Sequence, residues 1–327
     1  MAILIGGSPS TGSSLLRRIL NRHSQVFCGS ETSIFSKEKL YTDWSRYKSK
    51  LISRSFSRLL NAGWHHYRSI DVDSEYKLSQ ESLLGIVESS QSFPEFSEHL
   101  YARTLAHHGK TVWAEKTPSN AFTLQLFLDT FPDSKVVHIT RDPLDCIASL
   151  VNRGMDVYNA ICVYMMNTSK ALEVHSNPSA YLIKYEDLTQ QPEQTIKQLM
   201  AFLGLSYESS MLEPDEKPQG VVSMKGWQYK ETDAIKSKAI GRFYKLSSEN
   251  QKLILSGLKL LSCNCNGEYT SVTELAARLD YSIPALSDDI KSYNYFLKSM
   301  RLDKLQRKLK RSYFSGGNYP IRFKNEV

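Results

Sequence analysis

The sequence predicts an α/β fold: a P-loop-type parallel sheet flanked by helices, with a helical insertion at about residues 35–110 and a helical C-terminal extension. Three observations lead there. The apolar residues 2–5 run straight into a Gly/Ser/Pro/Thr loop, and Leu15, Leu16, Ile19 and Leu20 follow at helical spacing. From residue 111 to residue 204, short apolar runs alternate with helical patterns, as in a parallel sheet covered on both faces. The loop itself, Gly7-Ser8-Pro9-Ser10-Thr11-Gly12-Ser13-Ser14, keeps the frame G-x-x-x-x-G-K-[ST], with Ser13 at the lysine position.

Further along, residues 26–28 read as a second short strand closed by the turn residues Gly29 and Ser30. Residues 35–110 are helical in pattern, Ser-rich and aromatic (Trp44, Trp64, Phe93, Phe96), and read as an insertion over the sheet edge. Residues 112–114 end a strand before Glu115-Lys116-Thr117-Pro118, where Pro118 hands the chain into a helix through Leu124 and Phe127. Residues 135–140 form a buried strand, and Pro143 starts a helix carrying Ile147, Ala148 and Leu150. Residues 180–183 are another strand. A helix with Ile196, Leu199, Met200, Phe202 and Leu203 begins near Pro192 and stops at Gly204. Residues 1–265 are expected to form the α/β domain, and 266–327 a basic helical extension packed on it or mediating contacts.

Composition narrows the function classes. A chain of 327 residues with 41% hydrophobic and 23% charged residues folds around a core of ordinary globular size. A net charge of +7 and a pI near 9.0 point to an anionic ligand, an acidic acceptor or an acidic surface. Much of the surplus is C-terminal, where Lys298, Arg301, Lys304, Arg307, Lys308, Lys310 and Arg311 face only Asp303. Leu302, Leu305 and Leu309 make an apolar stripe beside them, so a helix docking by its leucines is expected rather than a nucleic-acid or membrane arm. The five cysteines (Cys28, Cys146, Cys162, Cys263, Cys265) are odd in number and mostly set in apolar runs. That suits a reducing compartment without a disulfide framework. Cys263-Asn264-Cys265 has the wrong spacing for a zinc knuckle, so no metal is expected. No signal peptide or membrane span is legible, and the expected location is cytoplasmic.

The loop carries the first chemical signal. Its glycines let successive amides and the positive end of the next helix point at an anion, and the hydroxyls of Ser13 and Ser14 can add donors. A nucleoside triphosphatase would need the missing lysine and a magnesium carboxylate at a strand end. Residues 136–139 lead instead into Thr140-Arg141-Asp142, which disfavours a kinase or ATPase. Arg141 stands just past its strand, where open α/β sheets bind ligands, and Ser149 follows about two helical turns later. An arginine fork and a serine hydroxyl together suit a phosphate monoester. Alone, Arg141-Asp142 reads as a structural ion pair. Beside the loop, it suggests a nucleotide phosphorylated at both ends.

These motifs, with Cys28-Gly29-Ser30-Glu31-Thr32 and Tyr185-Glu186-Asp187-Leu188, make residues 1–205 resemble the sulfotransferases that use 3′-phosphoadenosine 5′-phosphosulfate (PAPS). In motif the sequence looks most like the tyrosylprotein-sulfotransferase-like branch. The resemblance implies that Ser10, Thr11, Gly12, Ser13, Ser14 and Leu15 bind the 5′-phosphosulfate, and that Arg141 and Ser149 bind the 3′-phosphate. It implies that Tyr185 helps hold the cofactor, that Glu31 is the catalytic base, and that Lys116 contacts the sulfonate or bridging oxygen. The product would be adenosine 3′,5′-bisphosphate (PAP), and the acceptor a hydroxyl of a tyrosine, glycan, lipid or small metabolite. A homodimer is left open. Read without the resemblance, Glu31 is a helix-start carboxylate and Lys116 a surface turn lysine, while His138, inside a strand, is a satisfied core residue.

Two departures from the family pattern stand out. The family usually places Arg or Lys directly after the loop proline, and here Ser10 stands there. Losing one such donor typically costs ~3–4 kcal/mol of transition-state stabilisation. The alternative expectation is therefore a PAPS- or PAP-binding pseudoenzyme or scaffold. Around Ala239-Ile240-Gly241-Arg242-Phe243 the chain resembles a segment that carries a cofactor-contacting serine in tyrosine-modifying members, and Gly241 occupies that place. Lys225, Lys230 and Lys238 could add a basic lid.

Overall fold

The computed structural model describes residues 1–53, 76–214, 222–224, 227–229, 235, 237, 239–264, 267–285, 290–308 and 321–323. Its centre is a five-stranded sheet in the order β2-β3-β1-β4-β5. The strands are β1 (Ala2–Gly6), β2 (Val26–Cys28), β3 (Val112–Lys116), β4 (Lys135–Thr140) and β5 (Ala180–Lys184). All pairings are parallel, with Ile5 level with Lys116 on one side and Val137 on the other. The C-terminal ends of all five strands therefore share one edge. The loop after β1, Glu31 after β2, Lys116 at the end of β3, Arg141 after β4 and Tyr185 after β5 all lie along it.

Helices cover both faces, as an all-parallel sheet requires. One face packs Ile3, Ile5, Val137 and Ile139 against Leu16, Ile19 and Leu20 of helix Ser13–Arg22, and against Ile196, Leu199 and Met200 of helix Pro192–Leu203. The opposite face packs Leu4 and Trp113 against an aromatic cluster that includes Phe35, Phe93, Tyr101 and Phe127. Tyr101 stacks on Trp113 with ring centroids 4.4 Å apart. Burial of each such side chain contributes about 1.5–3 kcal/mol, so these layers fix the sheet edge as a rigid platform.

The inserted region is helical where described: Glu38–Thr42, Trp44–Ser53, Gln80–Ser89 and Phe93–His108. Its aromatics are core residues, Trp44, Phe93 and Phe96 each being buried. Trp64 lies outside the described residues, as do Lys225, Lys230, Lys238, Cys265 and Leu309. Pro118 opens a 3-10 turn, Pro118–Phe122, before the helix Leu124–Thr130 takes over.

A third core is built by helices Pro143–Asn152, Val157–Ala171, Ser248–Leu260 and Ile290–Lys308. A small antiparallel sheet pairs Leu261–Asn264 with Tyr269–Thr270 and Ile321–Phe323, so it draws strands from both sides of residue 265. The two described leucines of the expected stripe do not dock. Leu302 and Leu305 are 53% and 54% exposed, and the helix buries Phe296, Met300 and Asp303 instead. The larger apolar side chains set that face, and Asp303 is drawn in by the hydroxyl of Tyr158, which donates to its Oδ2 at 3.2 Å. No helix among the described residues is long and apolar enough to cross a membrane.

Candidate active site at the sheet edge

The loop after β1 is shaped by close approaches. Gly7 donates its amide to the Pro118 carbonyl at 3.0 Å, which ties the loop to the turn after β3. Gly12 has φ +89°, and a Cβ there would stand 2.4 Å from the Tyr185 ring, so only glycine fits. Ser10 also adopts a positive φ, +74°. Gly12 caps the helix Ser13–Arg22 without a side-chain bond. The first amides of a helix have no partner within it, so those of Ser13 and Ser14 stand at an open, positive N-terminus.

The expected loop residues do not all present side chains alike. Thr11 is buried and its hydroxyl donates to the Ser8 carbonyl at 2.8 Å. Leu15 packs in the core below the loop, and its amide donates to the Gly12 carbonyl at 2.9 Å. Ser14 faces the end of β3.

Two clusters of functional groups flank this loop. In the first, the Lys116 ammonium reaches Ser14 Oγ at 3.4 Å and forms a very close ion pair with the Glu31 carboxylate. Lys116 is 2% exposed and Glu31 11%. Neither is the free surface group that each would be alone.

In the second cluster, Arg141 donates from Nη1 to the Ser10 carbonyl at 3.1 Å and from Nη2 to the Ala239 carbonyl. Its guanidinium lies over the Tyr185 ring, 4.7 Å from the centroid, and its buried Nε has no protein partner. Arg153 Nη1 donates to Ser10 Oγ at 3.0 Å, and Arg242 Nη1 donates to Ser149 Oγ at 2.8 Å. Asp145 is the carboxylate beside Arg141, with Arg242 nearby. It lies 3.6 Å from Arg141 and accepts the amides of Gly241 at 2.7 Å and Phe243 at 2.9 Å. Burial, with Arg141 and Arg153 nearby, holds Arg242 below the usual arginine range. Nearby Glu186 is spent on structure, accepting the Asp142 amide at 3.0 Å and the Tyr281 hydroxyl at 2.7 Å. Arg141, Arg153 and Arg242 thus gather on Ser10 and Ser149, with Asp145 beside Arg141 and a buried unpartnered Nε on Arg141, an arrangement chemically suited to a dianion such as a phosphate monoester.

The histidines stand apart. His23 uses both ring nitrogens, with Nε2 2.9 Å from the Ser206 carbonyl and Nδ1 accepting the Gln25 amide. His138 Nδ1 lies 2.8 Å from His175 Nε2, while its buried Nε2 has no partner.

Fold and edge together define an α/β protein whose glycine loop lies between a Lys116–Glu31 ion pair and an arginine cluster at the C-terminal edge of a parallel sheet. The Sulfotransferase family model matches residues 2–209, and the chain belongs to that PAPS-dependent family. A putative protein-tyrosine sulfotransferase of Caenorhabditis briggsae is 25% identical over 263 residues, covering 76% of this chain and 82% of the relative. Protein-tyrosine sulfotransferase 2 of Gallus gallus is 26% identical over 237 residues, covering 67% of this chain but only 56% of its own length. Among solved structures, the sulfotransferase domain from the Synechococcus PCC 7002 olefin synthase superposes with a TM-score of 0.51 at 17% identity. That alignment covers 87% of this chain and 95% of that one, and shows the shared fold.

Sequence reasoning did not single out Arg153, Arg242, Asp145 or Glu115. Arg153 follows Arg141 by twelve residues across a loop and a helix, a spacing with no period of its own. Arg242 and Asp145 meet only through the fold, 97 positions apart in sequence.

Proposed function

We propose that this chain is an active sulfotransferase that moves a sulfuryl group from PAPS to a hydroxyl acceptor. The observation that carries the reading is the pair of grips on either side of one loop, Lys116 with Glu31 on one and the three arginines on the other. When bound, the donor supplies the sulfuryl group and a bisphosphate leaving group. Ser10, Thr11, Gly12, Ser13, Ser14 and Leu15 form the loop that receives the 5′ end, chiefly through backbone amides and the Ser14 hydroxyl. Arg141, Ser149, Arg153 and Arg242 hold the 3′-phosphate, and Tyr185 braces Arg141. Lys116 places positive charge where charge gathers during transfer. Glu31 accepts the proton of the attacking hydroxyl.

The names of the relatives make tyrosine the first acceptor to try, with glycan, lipid and small hydroxyl metabolites after it. Few cysteines, of which Cys28, Cys146, Cys162 and Cys263 are buried and outside any disulfide among the described residues, support a reducing compartment such as the cytoplasm. Residues 1–265 with their helical insertion are read as the catalytic domain, and the C-terminal segment as an extension of it. The test is transfer of radiolabelled sulfate from PAPS across a panel of tyrosyl peptides, glycans, lipids and small alcohols. Labelled product supports the reading. Tight PAP binding without transfer to any acceptor makes the chain a binding protein instead.

A further inference from the structure

Consecutive residues of β3 grip consecutive residues of the loop after β2 from opposite faces of the sheet. Strand alternation sends Lys116 toward helix Ser13–Arg22, where it meets Glu31. It sends Glu115 to the other face, where it meets Thr32. Glu115 is 1% exposed. Its Oε1 accepts the Thr32 amide and hydroxyl, both at 2.9 Å, and the Thr117 hydroxyl at 2.7 Å. Its Oε2 accepts from the Asn120 amide, which also donates to the Ile5 carbonyl at 3.1 Å. The network closes through Ser33, whose amide donates to Thr117 Oγ1 at 3.2 Å, and through Ile34, whose amide donates to Thr32 Oγ1 at 3.2 Å.

A buried carboxylate is costly unless its lone pairs are used, and the reaction itself makes no use of this one. Burial pushes its pKa up, while the Asn120, Thr32 and Thr117 hydrogen bonds resist the shift. A clamp of this kind, joined to β1, β3 and the following turn at once, holds something in place. The segment it holds is the one that carries Glu31.

We propose that Glu115 is a positioning residue for sulfuryl transfer: it fixes Thr32 by amide and hydroxyl and so keeps the Glu31 carboxylate registered on Lys116. The inference rests on the sulfotransferase reading and deepens it. Glu115 touches neither donor nor acceptor, and acts through the backbone of residues 31–33.

The experiment compares the full chain with Glu115→Ala, Glu115→Gln and Thr32→Val. Four quantities are read: kcat, KM, PAP affinity by calorimetry, and amide hydrogen exchange over residues 29–34. Misplacing a reacting group by an ångström costs on the order of 100-fold, so Glu115→Ala should lower kcat roughly 10–100-fold. PAP affinity should stay within about threefold of the parent, a split that general damage to the fold would not produce. Exchange at Thr32 and Ser33 should accelerate. Glu115→Gln keeps an oxygen facing Thr32 and Thr117 and should recover most of the lost kcat. Thr32→Val should be intermediate and non-additive with Glu115→Ala.

The proposal is overturned by parent-like kcat in Glu115→Ala, by PAP affinity falling in step with kcat, or by unchanged exchange at Thr32. If Glu115→Ala does not fold, Thr32→Val decides, because it must lower kcat while sparing PAP binding. A parent that binds PAP and transfers nothing defeats the function and not the clamp, which hydrogen exchange reads by itself.

Discussion

Arg153 donates from Nη1 to the Oγ of Ser10 at 3.0 Å, so a guanidinium stands at the loop position that has no cation of its own. The loop serine is the acceptor that seats this arginine beside Arg141, which binds the carbonyl of the same residue. A residue from the end of helix Pro143–Asn152 thus brings its guanidinium against the Ser10 side chain. Arg153→Met should weaken PAP binding roughly 10–100-fold by calorimetry, the scale of a charged hydrogen bond lost from a partly buried site. Ser10→Ala removes the acceptor and leaves the charge, and should cost less than about fivefold. Equal affinities for Arg153→Met and the parent would remove Arg153 from the donor site.

Gly12 and Tyr185 make a second prediction. The glycine combines φ +89° with a ring 2.4 Å from where a Cβ would stand. Tyr185 in turn lies under Arg141. Gly12→Ala must therefore move Tyr185 or distort the loop, and either shift reaches the arginine. The expected result is a loss of stability of about 1–3 kcal/mol in denaturant melts, with PAP binding weakened by more than 10-fold. Tyr185→Leu, which frees the space but removes the ring, should restore part of the stability of Gly12→Ala and none of the Arg141 support. An additive double variant would show that the two residues do not share this contact.

Much of this edge was legible in the sequence because it is local. The loop frame, the strand ends and the helix starts at Pro143 and Pro192 each depend on a few neighbouring residues. Residues 135–140 form strand β4 with the expected bounds. Arg141 falls just past it because the strand ends where its apolar run does. What the sequence hid is long-range. The Arg153–Ser10, Arg242–Ser149 and Glu115–Thr32 contacts join residues 143, 93 and 83 positions apart, and no periodicity marks them. The leucine stripe of the last helix misled for a related reason. Helical spacing shows that an apolar face exists, but packing partners decide which face is buried, and here Phe296 and Met300 outweigh Leu302 and Leu305.

The Lys116–Glu31 pair separates binding from chemistry. Lys116 and Glu31 are joined to each other and, through Ser14, to the loop, while the arginine cluster lies at the loop's other side. Glu31→Gln keeps the size and a hydrogen-bonding group, and removes the proton acceptor. PAP affinity should stay within about threefold, and kcat should fall about 100- to 10,000-fold. Lys116→Met should lower kcat on the order of 100- to 1,000-fold, as loss of a preorganised charge does. Transfer by Glu31→Gln at the parent rate would assign the base elsewhere.

The last prediction concerns pH and lies away from the site. His138 is buried in β4 with Nδ1 2.8 Å from His175, and burial together with the His175 charge pushes its pKa from 6.5 down to about 3. Burial, then Arg278, also lowers His175. An unfolded chain takes up a proton near pH 6.5 that folded His138 refuses until about pH 3. Between those values the unfolded state holds more protons, so stability rises with pH and is lost as pH falls through the window. The slope is at most about 1.4 kcal/mol per pH unit from this one group. Glu115 acts with the opposite sign, because its raised pKa makes the folded state keep a proton that the unfolded chain releases above about 4.5. Comparing the parent with His138→Gln cancels that contribution. Urea melts at pH 7.0, 6.0 and 5.0 should show the parent losing about 2 kcal/mol more than the variant between pH 7.0 and 5.0. Parallel stability curves for the two proteins would mean that His138 takes up its proton in the folded state as readily as in the unfolded one.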